Sequence, residues 1–313
     1  MLFSILIAHY NNASFLDHAL KSVLNQTYTN WEIILVDDQS TDHFEEVIRP
    51  YTINVKVKIF RNSQNYGCGY TKKKCASLAS GEIMGFLDPD DALLPECLDI
   101  MIAEHLTKPD HSIIHSTHFI CNNLLERKRI ADYPRSLEPG IPYLLLNDGR
   151  IHHFASFKKS SYDQTKGISE FNKKAVDQDL YYLMEEIGPV FFIDKPLYEY
   201  RIHKQSISTS GKEREAALWH YDIIRDACMR RIEAHKNLKL PKDPLQKKYT
   251  VHYYKIGIFS SFRKHKWHLL IYNLVYFIIS GGKENLFSYL NKLPKEGISL
   301  IRRSFYYQHE IKA

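Results

Sequence analysis

The sequence predicts an α/β domain whose central sheet is mostly parallel and covered by helices, followed by a helical C-terminal extension. Short apolar runs alternate with segments of helical spacing through the first hundred residues. This alternation is typical of parallel strands joined by right-handed helical crossovers. Several of the apolar runs end in acidic or amide side chains, at the strand ends where an open parallel sheet binds its ligands.

The strands of the predicted sheet come first in the chain. Each is a continuous apolar run, as expected for strands that are covered on both faces. The predicted strands are 3–8, 31–36, 55–60 and 83–87, with helices at 14–24 and 71–79. The pattern continues less regularly with a helix at 96–106, a strand at 112–120, a polar loop at 127–143 and a helix at 180–187. Beyond residue 211 the sequence predicts helices at 213–235, 245–262 and 267–280.

Charge is unevenly distributed along this 313-residue chain. The net charge is +6, but residues 225–266 alone carry 12 Lys and Arg against 3 Asp and Glu. Such a basic segment favours an acidic partner, either a membrane surface or a nucleic acid. We disfavour nucleic acid, because no known nucleic-acid-binding motif accompanies the basic residues. Peripheral membrane contact through the basic C-terminal region is the alternative.

The cysteines and the N-terminus suit a reducing compartment. The five cysteines form no Cys-x-x-Cys pair, so neither a disulfide framework nor a zinc finger is predicted. The apolar run 3–8 has no basic residues before it, and we interpret it as a strand and not as a signal peptide. The longest apolar run, 269–279, is shorter than the roughly 20 residues that span a bilayer. We expect a cytoplasmic protein, either free or on the inner face of the cell membrane.

Acidic residues follow two of the predicted strands. Asp37 and Asp38 end the second strand, and Asp88, Asp90 and Asp91 end the fourth. Because parallel strands end at the same edge of a sheet, these carboxylates should meet there. Like charges at close range repel unless a cation lies among them, and a divalent metal that also binds a substrate's phosphates meets this need. A solvated acidic loop is the alternative for the second group.

Five motifs occur in order along the first hundred residues: Ala8–Asn11, Ser22–Tyr28, Glu32–Asp42, Asn65–Gly67 and Leu87–Asp91. Together they resemble the motifs of the family 2 glycosyltransferases. The resemblance continues more thinly to Ser208, and it departs from the family at Ala8, Gln39 and Lys73, where proline, glycine and asparagine are common. It implies the GT-A fold, a nucleotide-sugar donor and, usually, inversion of the anomeric centre.

Position by position, the resemblance implies how the donor nucleotide is held. Tyr10 and Asp38, together with Asp37, would hold the uracil and the ribose. Lys72 would approach the nucleotide, although a solvated position within Lys72–Lys74 is an equal alternative, since consecutive helical residues point in different directions.

The resemblance also implies a metal site. Asp88 and Asp90 match the Asp-x-Asp metal motif, with Asp90 as the more direct ligand and Asp88 nearer the ribose, whereas Asp91 could cap the next helix. The segment 196–208 resembles the family's closing Tyr-Arg-x-His-x-x-Ser motif. There His203 would complete the metal ligands, and Arg201 would offset the charge of the diphosphate. An imidazole beside two carboxylates suits Mn²⁺ better than Ca²⁺, and Mn²⁺ or Mg²⁺ is predicted.

A second acidic motif lies at 171–180, where the family places its general base. Val176 replaces the glutamate of the family motif, but Asp177 and Asp179 align with its aspartates. Asp177 would take the proton from the acceptor hydroxyl, a role that typically contributes about 10²–10⁴-fold to the rate. The alternative is that Asp177 only caps a helix that starts at Leu180.

Two further groups of residues are open to more than one interpretation. His111, His115 and His118 are predicted to be structural histidines with satisfied hydrogen bonds, while His152 and His153 are weak candidates for acceptor contact. The segment 267–280 is apolar nearly all round. It is predicted to be a buried packing helix, with a membrane-interface segment beside basic neighbours as the alternative.

These features predict an inverting glycosyltransferase that moves a sugar from a UDP-sugar donor to a hydroxyl of an acceptor glycan or lipid-linked glycan. The setting that the resemblance implies is the synthesis of lipopolysaccharide, capsule or exopolysaccharide in bacteria. Residues 1–95 would bind the donor and 96–210 the acceptor within one domain, while 211–313 would contact a membrane surface or a second copy in a homo-oligomer.

Two rival functions are weighed against this prediction. A sugar-nucleotide nucleotidyltransferase should have a Gly-rich phosphate loop after the first strand, and residues 8–14 contain no glycine. A catalytically silent carbohydrate- or nucleotide-binding protein would not need the intact acidic motifs. Both are therefore disfavoured.

Overall fold

The computed structural model describes residues 1–203, 213–237 and 244–281. The chain divides into two compact units. The first contains residues 1–140 and 148–202, and the second contains residues 141–147 and the chain from residue 203 onward. The last part of the predicted closing motif, Lys204–Ser208, lies outside the described residues.

The first unit is built on one mixed sheet. In the described residues its strands are β1 (Phe3–His9), β2 (Trp31–Asp37), β3 (Val57–Arg61), β4 (Ile83–Phe86), β5 (Ala92–Leu93), β6 (Ile113–Cys121), β7 (Arg127–Ile130), β8 (Ala155–Lys158) and β9 (Val190–Arg201). Their order in the sheet is β3-β2-β1-β4-β8-β6-β9-β5, and β7 pairs with β6.

Helices cover this sheet and make up most of the described second unit. Those of the first unit are α1 (Ala13–Leu24), α2 (Phe44–Ile48), α3 (Cys68–Leu78), α4 (Cys97–Thr107), α6 (Lys159–Tyr162) and α7 (Val176–Glu185). Those of the second unit are α5 (Tyr143–Leu146), α8 (Glu213–Asn237), α9 (Pro244–Arg263) and α10 (Trp267–Ile279). The predicted α/β class with a helical C-terminal region is confirmed.

The parallel part of the sheet is the part that the sequence predicted first. Strands β1, β2, β3 and β4 pair in parallel. Apolar side chains on both faces of β1 are buried, among them Phe3, Leu6 and Ile7, which is why its sequence is a continuous apolar run and does not alternate. The carboxyl ends of these strands meet at one edge, as expected.

The rest of the sheet is mixed. Strand β8 runs antiparallel to both β4 and β6, whereas β9 runs parallel to β6. The sequence did not predict β9, because the polar residues Asp194 and Lys195 interrupt its apolar pattern. Its hydrogen bonds come from a distant strand, and the β6–β9 register shifts near Thr117. The predicted polar loop 127–143 also contains the short strand β7, and its last residue begins α5.

Helix α10 is where the second unit differs most from the prediction. Of its side chains only Asn273 and Phe277 are buried, while seven large apolar side chains along the helix are exposed. The expected buried packing helix is therefore wrong. In the described residues no helix combines the length and the apolar character needed to cross a bilayer.

Candidate active site at the strand ends

Asp37, at the end of β2, is completely buried and fully bonded within the protein. The N–H of Asn12 donates to His9 Nε2 at 3.3 Å, so the proton of this neutral ring lies on Nδ1, which donates to Asp37 Oδ1 at 3.0 Å. Ser40 donates to the same carboxylate, and Arg61 Nε lies 3.2 Å from Oδ2. The structure thus places Asp37 beneath the sheet edge and not at its surface. It can support a nucleotide site only through its neighbours.

Asp38 shapes the turn that follows β3. Its carboxylate accepts hydrogen bonds from Asn62 Nδ2 at 2.7 Å and from the backbone N–H groups of Tyr66 and Gly67 at 3.0 and 2.8 Å. Gly67 has φ of +95°, a conformation that favours glycine. The 62–67 turn is therefore fixed in place by the acid that the sequence assigned to the nucleoside. Tyr10, just beyond β1, is half exposed.

Lys72 connects two acids from distant parts of the chain. Its Nζ lies 2.6 Å from Asp177 Oδ1 and 3.5 Å from Asp88 Oδ1, and its charge also lies over the ring of Phe86, 4.9 Å from the centroid. The lysine is buried, while both carboxylates keep about 30% of their side-chain surface exposed. The alternative of a solvated Lys72 is wrong.

The charges around Lys72 keep it protonated. Burial alone would lower the pKa of Lys72, because a buried ammonium loses its hydration. The negative charges of Asp177 and Asp88 outweigh that effect and hold the pKa well above its usual value of 10.5. Lys72 therefore remains a fixed positive charge between the acidic turn after β4 and the start of α7.

Glycine at position 69 allows Lys72 to reach Asp177. The N–H of Gly69 donates to the carbonyl of Asn172 at 3.0 Å, and a Cβ at Gly69 would come within 2.4 Å of the carbonyl oxygen of Ser169. Only a residue without a side chain lets α3 approach this segment so closely. Asp179 accepts a hydrogen bond from Asn172 Nδ2 at 3.0 Å and ties the segment to α7. The sequence did not predict this contact, although the closely spaced glycines at the start of α3 were a signal.

Helix α7 starts earlier than predicted. It begins at Val176, after Ala175 in a left-handed conformation, and Asp177 lies in its first turn. The alternative that Asp177 caps a helix starting at Leu180 is therefore wrong. A carboxylate in the first turn is favoured by the partial positive charge of the helix N-terminus.

The turn after β4 is fixed by Asp91. Its Oδ2 accepts a hydrogen bond from the hydroxyl of Tyr198 at 2.8 Å, and its Oδ1 accepts one from the backbone N–H of Arg201 at 2.7 Å. Asp91 therefore joins the turn to β9, and the expectation that it caps the next helix is wrong. Burial, together with the charges of Asp90 and Asp88, raises the pKa of Asp91 well above its ordinary value of 3.8.

Arg201 lies beside this turn. Its Nε donates to the carbonyl of Asp90 at 2.6 Å, and its guanidinium lies over the ring of Phe15, 4.6 Å from the centroid. Its Nη2 is buried and has no hydrogen-bond partner among the described residues. Since a buried unpaired donor is costly, an anionic ligand at this position would be stabilised by it.

The donor set of the acidic turn fits a hard divalent cation. Asp88, Asp90 and Asp91 bring three carboxyl groups into one turn. Carboxylate oxygens are the ligands that Mg²⁺ and Mn²⁺ prefer. Among the described residues no group of three His, Cys, Asp or Glu side chains converges closely enough to hold a metal by itself. Binding through one or two carboxylates plus substrate phosphates is the usual arrangement for Mg²⁺.

His153 is a neighbour of this turn that the sequence identified only weakly. Its Nε2 lies 3.4 Å from Asp88 Oδ2, and its ring stacks on Tyr198 with the centroids 5.2 Å apart. His118 Nδ1 donates to the carbonyl of His153 at 3.2 Å and accepts at Nε2 from the hydroxyl of Tyr133 at 2.9 Å. This chain of hydrogen bonds fixes His153 beside Asp88.

The three histidines around β6 do not all behave as predicted. His118 is a satisfied structural histidine. His115 is not, because within the described part of the chain both of its ring nitrogens are buried without a hydrogen-bond partner, and its ring packs against Phe192. Nδ1 of His111 is likewise buried and unpaired. Burial lowers the pKa of His115 and His118 to about 3.

The structure brings most of the predicted site residues together in the first unit. Lys72, Asp88 and Asp177 meet directly, and Arg201 contacts the backbone of Asp90. His203 is a buried residue of the second unit. Its role as a metal ligand stays a prediction.

Comparison with known proteins identifies the family of this chain. The model of the family "Glycosyl transferase family 2" matches residues 4–166, which is more than half of the sequence. The chain belongs to glycosyl transferase family 2. The match includes the strands β1 to β4 and the acidic turn after β4. It ends before Asp177.

Curated relatives of this family 2 chain include polysaccharide synthases. It is 26% identical over 230 residues to the chondroitin synthase of Escherichia coli, which covers 73% of this chain and 33% of the synthase. The chain thus spans about a third of that relative. It is 28% identical over 261 residues to the GalNAc(5)-diNAcBac-PP-undecaprenol beta-1,3-glucosyltransferase of Campylobacter jejuni, covering 82% of this chain and 81% of that enzyme.

Solved structures share the GT-A fold of this chain. TarS of S. aureus matches with a TM-score of 0.65 and 17% identity, covering 97% of this chain and 55% of TarS. A shorter form of TarS in complex with UDP-GlcNAc matches with a TM-score of 0.58 and 16% identity over 91% of this chain and 92% of that one. A mannosyltransferase from Pyrobaculum calidifontis in complex with GDP-Man and Mn²⁺ matches with a TM-score of 0.54 and 11% identity, covering 99% and 84% of the two chains.

Proposed function

We propose that this glycosyltransferase transfers a sugar from a UDP-sugar to a hydroxyl of a growing bacterial surface glycan, free or lipid-linked, with inversion at the anomeric carbon. The observation that carries the proposal is the meeting of Asp88 from the acidic turn, Asp177 from α7 and Lys72 between them. An acid on the donor side and an acid on the acceptor side are thus held around one fixed cation.

Asp177 is the proposed general base. Its Oδ1 is held by Lys72, whereas its Oδ2 has no hydrogen-bond partner in the described part of the chain. About 30% of the side chain is exposed, so an acceptor hydroxyl can approach it. The carboxylate is therefore oriented by one oxygen and left able to accept a proton on the other.

The proposed reaction is a single displacement. The acceptor oxygen forms a bond to the anomeric carbon while its proton passes to Asp177. The bond from that carbon to the diphosphate oxygen breaks at the same time, and the electron pair leaves with UDP. The negative charge that develops on the diphosphate is stabilised by cations fixed in advance. Lys72 and the unpaired Nη2 of Arg201 are the candidates in this chain.

The other predicted residues bind the donor in this proposal. Asp38 and Tyr10 hold the uridine, with Asp37 supporting them from below through His9 and Ser40. Asp88 and Asp90 would hold Mn²⁺ or Mg²⁺, which would neutralise diphosphate charge when bound. The TarS complex with UDP-GlcNAc and the Mn²⁺ complex of the mannosyltransferase support these choices for proteins of the same fold.

The proposal is tested by a donor screen on the full chain. We expect release of UDP from at least one UDP-sugar when Mn²⁺ or Mg²⁺ and a glycan acceptor are present, and a new glycosidic bond of inverted configuration detected by NMR. GDP-sugars that carry the same sugars serve as control donors, and they should give no product. Turnover of GDP-sugars in place of UDP-sugars would refute the donor assignment.

The two rival functions predict different products in the same screen. A nucleotidyltransferase would leave the UDP-sugar intact in this screen, and with added pyrophosphate it would release UTP and a sugar 1-phosphate and not UDP. A silent binding protein would bind UDP without any turnover. Either result would overturn the proposed reaction.

A further inference from the structure

Helix α10 in the second unit presents an apolar surface that no part of the proposed reaction uses. The helix contains no Asp, Glu, Lys or Arg. Trp267, Ile271, Val275 and Ile279 follow one another at intervals of four residues, which places them along one face. Their side chains are between 46% and 71% exposed, and Tyr272 and Tyr276 extend the same face.

The opposite side of α10 is anchored to α9. Asn273 is buried, and its Nδ2 donates to Ser261 Oγ at 3.1 Å. Gly257 lies against Asn273, and a side chain at Gly257 would collide with it. Because the buried amide fixes which side of α10 packs on α9, Ile271, Val275 and Ile279 are held on the exposed side of α10. The aromatic residues of the face lie at its edge: Trp267 contacts Phe262 of α9, and Tyr272 and Tyr276 contact Tyr254 of α9, while part of each ring stays exposed.

Cations lie at both ends of this apolar face. Lys266 directly precedes α10 and is exposed. Beyond the other end, the side chain of Lys247 lies close to Gly281, because a Cβ at Gly281 would come within 2.6 Å of its Cε. Lys247 and its neighbour Lys248 are both exposed. The face is therefore apolar and aromatic in its middle and positively charged at its ends.

We propose that this face of α10 docks on the surface of a bilayer that contains anionic lipid. Trp and Tyr side chains are favoured at the boundary between headgroups and acyl chains. Lysines beside an apolar helix are attracted to anionic headgroups. The 13 residues of α10 fall short of the roughly 20 needed to span the bilayer, so the helix would lie in the interface.

Charge favours lipid over a second copy of the chain. A symmetric dimer through α10 would place the same patch of each copy against the other. The lysines at the ends of the face would then approach their own counterparts, and each copy carries 12 Lys and Arg against 3 Asp and Glu over residues 225–266. Anionic lipid neutralises this charge, whereas a second copy doubles it.

The test is co-sedimentation of the full chain with lipid vesicles. We expect binding to vesicles of phosphatidylcholine and phosphatidylglycerol in equal parts, and much weaker binding to phosphatidylcholine alone. The double variant Ile271→Glu/Val275→Glu should lower the partition coefficient by at least ~10-fold, because it places charge in the apolar face. Lys247→Gln and Lys266→Gln should each lower it by about 5-fold.

A matched control lies in the first unit. Ile53 and Val55 are 87% and 91% exposed, so Ile53→Glu/Val55→Glu makes the same chemical change on an exposed surface outside α10. It should leave vesicle binding unchanged. Equal loss in both double variants would overturn the proposal, as would equal binding to neutral and anionic vesicles. Circular dichroism and UDP binding check that the variants are folded.

The fluorescence of Trp267 gives a second readout. Vesicles should shift the tryptophan emission to shorter wavelength, and Trp267→Phe should abolish the shift while the other two tryptophans remain. If the chain binds no vesicles at all, the proposal is overturned. A dimer that Ile271→Glu/Val275→Glu disrupts would then show that a second copy covers the face, and the absence of such a dimer would show that the chain beyond residue 281 covers it. These outcomes do not depend on turnover, so they are separable from a failure of the proposed transfer reaction.

Discussion

Two pairs of carboxylates near the same sheet edge are held in different ways. Asp37 and Asp38 are buried, and several donors from imidazole, hydroxyl, amide and backbone N–H groups fix their oxygens. Asp88 and Asp177 are partly exposed, and a single buried lysine bridges them. Many donors around a buried carboxylate make that acid part of the framework. One shared cation holds two acids in place and leaves oxygens able to meet reactants.

The strongest test of this difference is the removal of the proposed base. Asp177→Asn should lower kcat by about 10²–10⁴-fold, because the amide cannot accept the acceptor's proton. The KM for the donor should change little. Steady-state release of UDP measures both quantities.

Asp163→Asn is the control for that substitution. Asp163 forms an exposed ion pair with Lys159 at 3.2 Å, so the same chemical change there should leave kcat and KM as in the wild type. A wild-type kcat in Asp177→Asn would show that Asp177 is only structural.

The bridging lysine can be compared with its neighbour in the chain. Lys72→Met leaves Asp88 and Asp177 facing each other without a cation and should lower the free energy of unfolding by about 3 kcal/mol. Lys73 pairs with Glu170 on the surface, so Lys73→Met should cost at most about 1 kcal/mol. Urea unfolding monitored by circular dichroism gives both values. Equal losses would mean that Lys72 does not hold the two acids together.

Substitution of Asp38 tests the framework side of the comparison. In Asp38→Asn the NH₂ group of the amide replaces one carboxylate oxygen. Whichever way the amide is turned, this NH₂ group faces at least one of the N–H donors of Asn62, Tyr66 and Gly67. We expect a loss of about 1–3 kcal/mol in stability and weaker binding of UDP by calorimetry. Unlike Asp177→Asn, this variant should retain its kcat at saturating donor. A large fall in kcat with unchanged stability would remove the distinction between the two pairs.

The pH dependence of stability separates the carboxylates from the buried histidines of β6. Burial lowers the pKa of His115 to about 3, whereas the unfolded chain takes up that proton near pH 6.5. The neutral ring of His115 therefore contributes to the free energy of unfolding. This contribution is fully present above about pH 6.5 and is lost as the pH falls towards 3. The loss is about 1.4 kcal/mol for each pH unit. His115→Phe should reduce the slope of unfolding free energy against pH by this amount between about pH 6 and 4, and an unchanged slope would contradict the prediction.

Most of the residues of the candidate site could be named from the sequence, but their hydrogen bonds and ion pairs could not. The acids Asp38, Asp88 and Asp177 follow recognisable motifs, and the strands before the first two have continuous apolar patterns. The sequence allowed Asp91 to cap the next helix, whereas its actual partner, Tyr198, comes from a strand that was not predicted. The role of Gly69 was also missed, because it depends on the segment that packs against it.

The sequence by itself determined the parallel strands β1 to β4 and the family, because short-range patterns of apolar and acidic residues are enough to specify both. Only the tertiary structure decided that Lys72 pairs with an aspartate 105 positions away and that α10 exposes its apolar side. Both outcomes depend on which distant segments pack together. A solvated lysine and a bridging lysine have the same local sequence, and so do a buried helix and an exposed one.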